Sequence, residues 1–293
     1  LSTETGVIHD IGYQRYDGPR LGRAYAARSL YVHGLRTAFG FGRSAKAKIF
    51  PWFVVAVALG IAVIVTAVRA IQGEPVLGYL AYTDSVSILV VLFCAIIGPE
   101  LVSRDLRTGV LPLYFSRPLT RRDYALAKLA AVVSAAWLVL AAPLTLMFLG
   151  GLFSAPGGKA IWQEAGHYAA GLGYAAVCAA LFGSLATLVG SLSGRRAVAA
   201  AIIAAYFLVT SAVAGAVIGI GAGTGNEKIQ HAGGLLSPDL MIQGVRGWLF
   251  RRGPGDWQAL PVGGLGLAYT LLTAAFIAAC VLLTLLRYRK VAR

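Results

Sequence analysis

Six near-continuous apolar stretches divide this chain, at about 51–71, 79–102, 124–149, 167–192, 197–220 and 260–286. Each meets or exceeds the ~20 residues a helix needs to cross a ~30 Å hydrocarbon layer. The second is the most interrupted, with Asp84 near its start and Gly98-Pro99-Glu100 at its end. Pro143 in the third allows a kink without requiring a break, because neighbouring helices and side chains can satisfy the freed carbonyl. The pattern predicts an all-α integral membrane protein. A polar N-terminal segment (1–50) precedes a six-span domain (51–286) and a short C-terminal tail (287–293). No internal repeat is visible.

Three segments between or before the spans have patterns of their own. In 19–43, Leu21, Tyr25, Val32, Leu35 and Phe39 fall near one helical face, with arginines mostly elsewhere. Arg28 lies within that face and would have to snorkel. The expectation is an interfacial helix on the inner leaflet before Pro51 opens the first span, the alternative being a disordered basic tail. In the last interspan loop, 221–259, a flexible Gly-rich start leads to Ser237 and Pro238, a cap and first-position proline for a short helix. Met241, Val245, Trp248 and Leu249 repeat there at helical spacing. This helix either sits at the outer surface or dips into it, or it packs over the bundle.

The third segment, 103–123, carries the most information. A connector between spans needs only a few polar residues. This one has charge, turn residues and an apolar strip of Val110, Leu111, Leu113, Tyr114 and Phe115. An exposed apolar patch rimmed by charge marks a docking surface.

Composition agrees with a membrane protein. Of 293 residues, 58% are hydrophobic and 13% charged, against about 25% charged in soluble domains. The net charge of +14 could point to nucleic acid, but the basic residues cluster in alternate loops and no basic soluble module is present. Twenty Lys and Arg fall on the side of the two termini and six on the other. By the positive-inside rule both termini are cytoplasmic. The first fifty residues hold no short apolar stretch ahead of a small-residue cleavage site, so no cleavable leader is expected. Cys94, Cys178 and Cys280 all lie in apolar stretches without CxxC spacing and read as small buried hydrophobes.

Several chemistries lack their residues. The nearest approach to a phosphate-binding loop, Gly158-Lys159, has Phe153 where the first Gly belongs and Ala160 where a Ser or Thr must reach magnesium. ATP binding by this chain alone is not expected. His9, His33, His167 and His231 are scattered, and no HExxH is present, which disfavours an intramembrane hydrolase. The spans are nearly free of the ionisable residues that ion-coupled transporters use. Asp84 and Glu100 read as anchors or end caps. Energy would then enter from outside the spans.

The loop from Glu100 to Lys128 resembles that of the ABC-2 type permeases, the membrane subunits of six-span ABC exporters. The family's pattern runs roughly Glu-Arg-Glu-x-Gly-Thr-Leu, a Leu-rich strip, Ser-x-Pro-Leu-Ser-Arg and a closing Gly-Lys. Asp105, Gly109, Ser116, Pro118, Leu119, Thr120, Arg121 and Lys128 fit it. Leu106, Arg107, Val110, Pro112 and Ala127 depart from it. The stretch Tyr-Gln-Arg-Tyr-Asp-Gly-Pro-Arg at 13–20 also looks like these permeases.

The resemblance implies a coupling helix between spans two and three that seats in a groove of a separate ATPase subunit. Asp105, Arg107, Gly109, Leu111, Tyr114, Phe115, Arg117, Pro118 and Arg121 are its candidate coupling residues. It further implies a second permease, identical or paralogous. ATP and magnesium would be bound in the ATPase, and this chain would bind no cofactor or metal itself. The resemblance implies export, the apolar spans favour a hydrophobic or amphipathic substrate, and in such an exporter the helix with Met241, Val245 and Trp248 would belong to the exit gate. The Ala/Gly/Val/Arg-rich composition points to a GC-rich bacterium, and so to its plasma membrane. A membrane-anchored scaffold or sensor without transport activity is the rival class, and an intramembrane enzyme a more distant one.

Overall fold

The computed structural model describes residues 18, 21–116, 119–154, 157–250, 254–256, 260 and 262–290, and all regular structure among them is helical. In chain order the helices are α1 (Arg23–Ala38), α2 (Ala45–Gln72), α3 (Tyr79–Ser85), α4 (Ser87–Arg107), α5 (Leu111–Phe115), α6 (Arg121–Phe153), α7 (Gly158–Leu192), α8 (Arg196–Gly223), α9 (Glu227–Gly233), α10 (Pro238–Leu249) and α11 (Gly266–Lys290). Six of them, α2, α4, α6, α7, α8 and α11, are long and apolar enough to cross a membrane. The chain is an all-α multi-pass membrane protein. Connections alternate between two faces of the bundle. The terminal face carries α1, α5, the turn between α7 and α8 and the end of α11. The far face carries α3, α9 and α10.

The bundle has a centre and a periphery. About two-thirds of the spanning stretch is buried in α4 and α7 (67% each) and half in α6 (50%), against 17–22% in α2, α8 and α11. Glycines allow the central helices to meet. A Cβ on Gly98 of α4 would stand 2.7 Å from the Ala186 Cβ of α7, and one on Gly190 of α7 3.1 Å from the Pro99 Cα. At this contact the small residues permit close backbone approach. Gly194, four residues after Gly190, and the similarly spaced Gly215 and Gly219 have nothing within 4 Å of a Cβ position among the described residues.

The helices differ from the apolar stretches in instructive ways. The second stretch is two helices, broken at Val86 (φ −100°, ψ 5°) just after Asp84. At its other end α4 runs unbroken through Gly98-Pro99-Glu100 to Arg107, where the sequence implied a stop. The Gly98–Pro99 segment is clamped against α7, so the proline is absorbed. Pro51 likewise lies inside α2, which begins at Ala45, and α6 continues through Pro143. Helix α7 begins nine residues before the predicted 167. At 1.5 Å per residue its 35 residues run about 52 Å, well beyond the ~30 Å apolar layer. The polar first turns, with Lys159 and Glu164, are what hydropathy leaves out.

A helix forms in the N-terminal segment, and part of the expected face packs: Leu35 and Phe39 lie against the core, beside a more deeply buried line of residues. Leu30, Gly34 and Ala38 are buried, and Gly34 sits against Ala131 of α6. Tyr31 hydrogen-bonds Ser134 at 3.1 Å. Leu21 and Tyr25 of the expected face are exposed. Close approach of α1 to α6 needs small residues, and Gly34 and Ala38 supply them where an apolar stripe of large side chains would not.

Candidate functional site

The loop between α4 and α6 is built so that a short helix stands on an aromatic platform. Helix α4 ends at Arg107, with the Thr108 N–H donating to the Arg104 carbonyl at 3.0 Å. Gly109 then turns with φ +65°, and nothing lies near the position of a Cβ. The glycine is needed for its left-handed backbone and not for close approach. Pro112 sits in the first turn of α5. Helix α6 opens with a capping box: the Asp123 N–H donates to Thr120 Oγ1 at 3.2 Å and the Thr120 N–H to Asp123 Oδ2 at 3.1 Å. Arg23 of α1 donates to both Asp123 oxygens at 2.6 and 2.8 Å, tying α1 to this corner.

The candidate coupling residues divide between support and surface. Asp105 accepts from the Tyr124 hydroxyl at 2.6 Å and pairs with Lys128 at 2.8 Å. Lys128, almost wholly buried, also donates to the Leu101 carbonyl. The charge at Asp105 is thus spent inside the chain. Leu111 is buried. The Tyr114 and Phe115 rings lie 5.5 and 6.0 Å from that of Tyr124, which in turn packs on Tyr288 of α11 at 5.2 Å. Burial, with the Asp105 charge nearby, raises the Tyr114 phenol above its ordinary pKa. The Arg121 guanidinium lies over the Phe115 ring and donates to the Arg289 carbonyl. Arg107 is exposed. Arg117 and Pro118 lie outside the described residues.

The outward apolar side chain of α5 is Leu113, 70% exposed. It belongs to the predicted apolar strip but not to the candidate set. At about 100° per residue it points roughly opposite to Leu111, so once Leu111 turns inward Leu113 must turn outward. The platform that fixes which way α5 faces, Tyr114 and Phe115 on Tyr124 and Tyr124 on Tyr288, brings in the far end of the chain, and only the fold reveals it.

Beside α5 the terminal face opens into a cleft of about 1410 Å³ between the end of α1, the end of α4 and α5. Six cationic side chains line it, Arg36, Arg43, Arg104, Arg107, Lys128 and Arg196, against the two carboxylates Glu100 and Asp105. Glu100 holds Arg43 at 2.5 Å and Arg196 at 2.8 Å. Its position at the end of an apolar stretch signalled an anchor. The partners, from the α1–α2 turn and the start of α8, did not show in the sequence.

On the far face α10 is sealed onto the bundle. Met241 and Val245 are buried against Tyr269 of α11, while Trp248 is half exposed. Arg246, one residue from Val245, is buried and pairs with Asp84 of α3. Its other end nitrogen lies 3.8 Å from Asp256. Tyr174 of α7 also donates to Asp84, and the Ala81 N–H donates to Asp256 at 2.8 Å. A second network joins Arg69 at the end of α2 to Glu164 of α7 at 2.6 and 3.0 Å, with the Tyr79 hydroxyl donating to the same carboxylate. Sequence reasoning missed Arg246. The available signal was Asp84, since a carboxylate in an apolar stretch requires a partner.

Compared with protein-family models and with curated proteins, the chain matches none. Among the described residues no group of three or more His, Cys, Asp or Glu could hold a metal ion.

Proposed function

We propose that this chain is the membrane-spanning subunit of an ATP-driven exporter of the ABC-2 kind, moved by a separate ATPase that docks on α5. The observation that carries the reading is α5 itself. It is a five-residue helix on the loop between the second and third crossing helices, braced from below by Tyr124 and presenting Leu113 to solvent. A connector has no need of a braced helix with an exposed leucine. An apolar anchor that fills a partner's groove dominates docking, and the charges around it tune rate and register. The rigid path from α5 through Tyr124 into α6, and through Tyr288 into α11, would carry a push from the ATPase into the bundle. The terminal face is then cytoplasmic, in a bacterial plasma membrane. The transported molecule is hydrophobic or amphipathic, and a second permease, identical or paralogous, completes the pathway.

Cross-linking tests the docking. A cysteine at Leu113, in a chain lacking the three native cysteines, should cross-link in native membranes to a polypeptide that hydrolyses ATP. The substitution Leu113→Asp should remove at least tenfold of the ATPase activity that copurifies with the chain. Copurifying activity that is unchanged by Leu113→Asp would leave α5 a connector and favour the scaffold reading.

A further inference from the structure

We infer that the cleft on the terminal face binds the phosphate-bearing headgroup of an anionic lipid. The first reason is charge. Six cations against two carboxylates leave an excess of four positive charges. Glu100 neutralises part of the Arg43 and Arg196 wall, and Asp105 is committed to Lys128. The guanidinium groups of Arg36, Arg104 and Arg107 have no hydrogen-bond or ion-pair partner among the described residues. All three are exposed at the cleft. Arginine forks match phosphate oxygens two at a time, and like charges gathered on one wall without a counter-ion repel one another until an anion arrives.

The second reason is what borders the cleft. Phe41 lines it and meets Trp52 of α2 edge-on at a ring distance of 6.1 Å. From there α2 offers a continuous exposed apolar surface, Ile49, Trp52 and Phe53, on one of the least buried crossing helices. Aromatic side chains of this kind sit at headgroup level. Basic pockets between crossing helices are general sites for anionic headgroups. A lipid whose chains lie along α2 brings its phosphate to the arginines without leaving the leaflet. A soluble phosphate would gain the charge but not this apolar rim. The volume, about 1410 Å³, exceeds what a phosphate ion alone would fill.

The test uses the full chain in a neutral detergent, with no ATPase present, so it is independent of the transport reading. Native mass spectrometry measures binding of a phosphatidylglycerol and of a phosphatidylcholine with the same acyl chains. Inorganic phosphate and a polyglutamate peptide serve as soluble probes. Phosphatidylglycerol should bind at least tenfold more tightly than phosphatidylcholine, and affinity should fall as salt rises. The double substitution Arg36→Gln/Arg104→Gln should erase that preference. Both side chains are exposed and unpartnered, so melting should not change. Arg122→Gln, an exposed cation of the same face outside the cleft, should leave the preference intact. Equal affinity for the two lipids, or a preference that survives the double substitution, would overturn the inference. So would phosphate that binds as tightly as the lipid, which would assign the cleft to a soluble anion. Tight binding of polyglutamate without lipid would assign it to an acidic protein segment instead.

Discussion

A guanidinium removed from solvent requires a carboxylate, and Arg246 has Asp84 against it and Asp256 3.8 Å away. Removing one partner of such a pair strands the other charge in a low-dielectric site. Arg246→Ala should therefore cost about 3–5 kcal/mol of stability, read as denaturant unfolding in detergent micelles. Adding Asp84→Asn should recover part of that loss, because Tyr174 can still hydrogen-bond the amide. A double variant no better than the single one would mean that Arg246 acts through packing alone. Asp84 was legible as an anchor from its place in an apolar stretch. Arg246 was not, because it stands next to Val245 on a helix whose pattern gives no reason to bury a cation. The need for it arises from α3, which is 162 residues away in the sequence.

At the scale of elements, α10 and α5 make opposite use of the same pattern. Both are short amphipathic helices on loops. Helix α10 turns Met241 and Val245 into the bundle and leaves Trp248 half outside, whereas α5 buries Leu111 and exposes Leu113. A helical apolar repeat tells which residues share a face, but not whether that face meets the same chain or another. For α10 the buried face favours packing as the resting state, and any gate motion must first break the Arg246–Asp84 contact. Met241→Ala and Val245→Ala should each destabilise by about 2–4 kcal/mol, the range for emptying a buried apolar site. Trp248→Ala should cost markedly less, since half of that side chain is already solvated. Thermal melting of the three variants in detergent checks the order, and an equal loss from all three would show that Trp248 is part of the sealed core.

For the whole molecule, the sequence carries twenty basic residues in the terminal segments and the connections on their side against six in the others, a bias that predicts an orientation. With the native cysteines removed, cysteines at Lys159 and Lys228 should react with an impermeant thiol reagent in whole cells, and a cysteine at Lys46 should not. Labelling at Lys46 would invert the molecule. The number of crossings and this charge bias were open to the sequence because both are set by the solvent. A segment of ~20 apolar residues partitions into lipid whatever its neighbours do. The apolar strip of the 103–123 loop could also be read, as local composition out of place in a connector. Tertiary structure decided which helices form the centre: α4 and α7 are only slightly less apolar than the peripheral α2, α8 and α11, and α6 is as apolar as α8, so hydropathy by itself does not sort helices that face lipid from those that face a neighbouring helix. It also decided that Gly98 and Gly190 meet while Gly215 and Gly219 do not. The inward turn of Tyr114, the pairing of Asp105 with Lys128 and the gathering of Arg36 with Arg104 in one cleft have the same origin. Each joins residues from different elements, and their energies depend on distances that exist only once the bundle has packed.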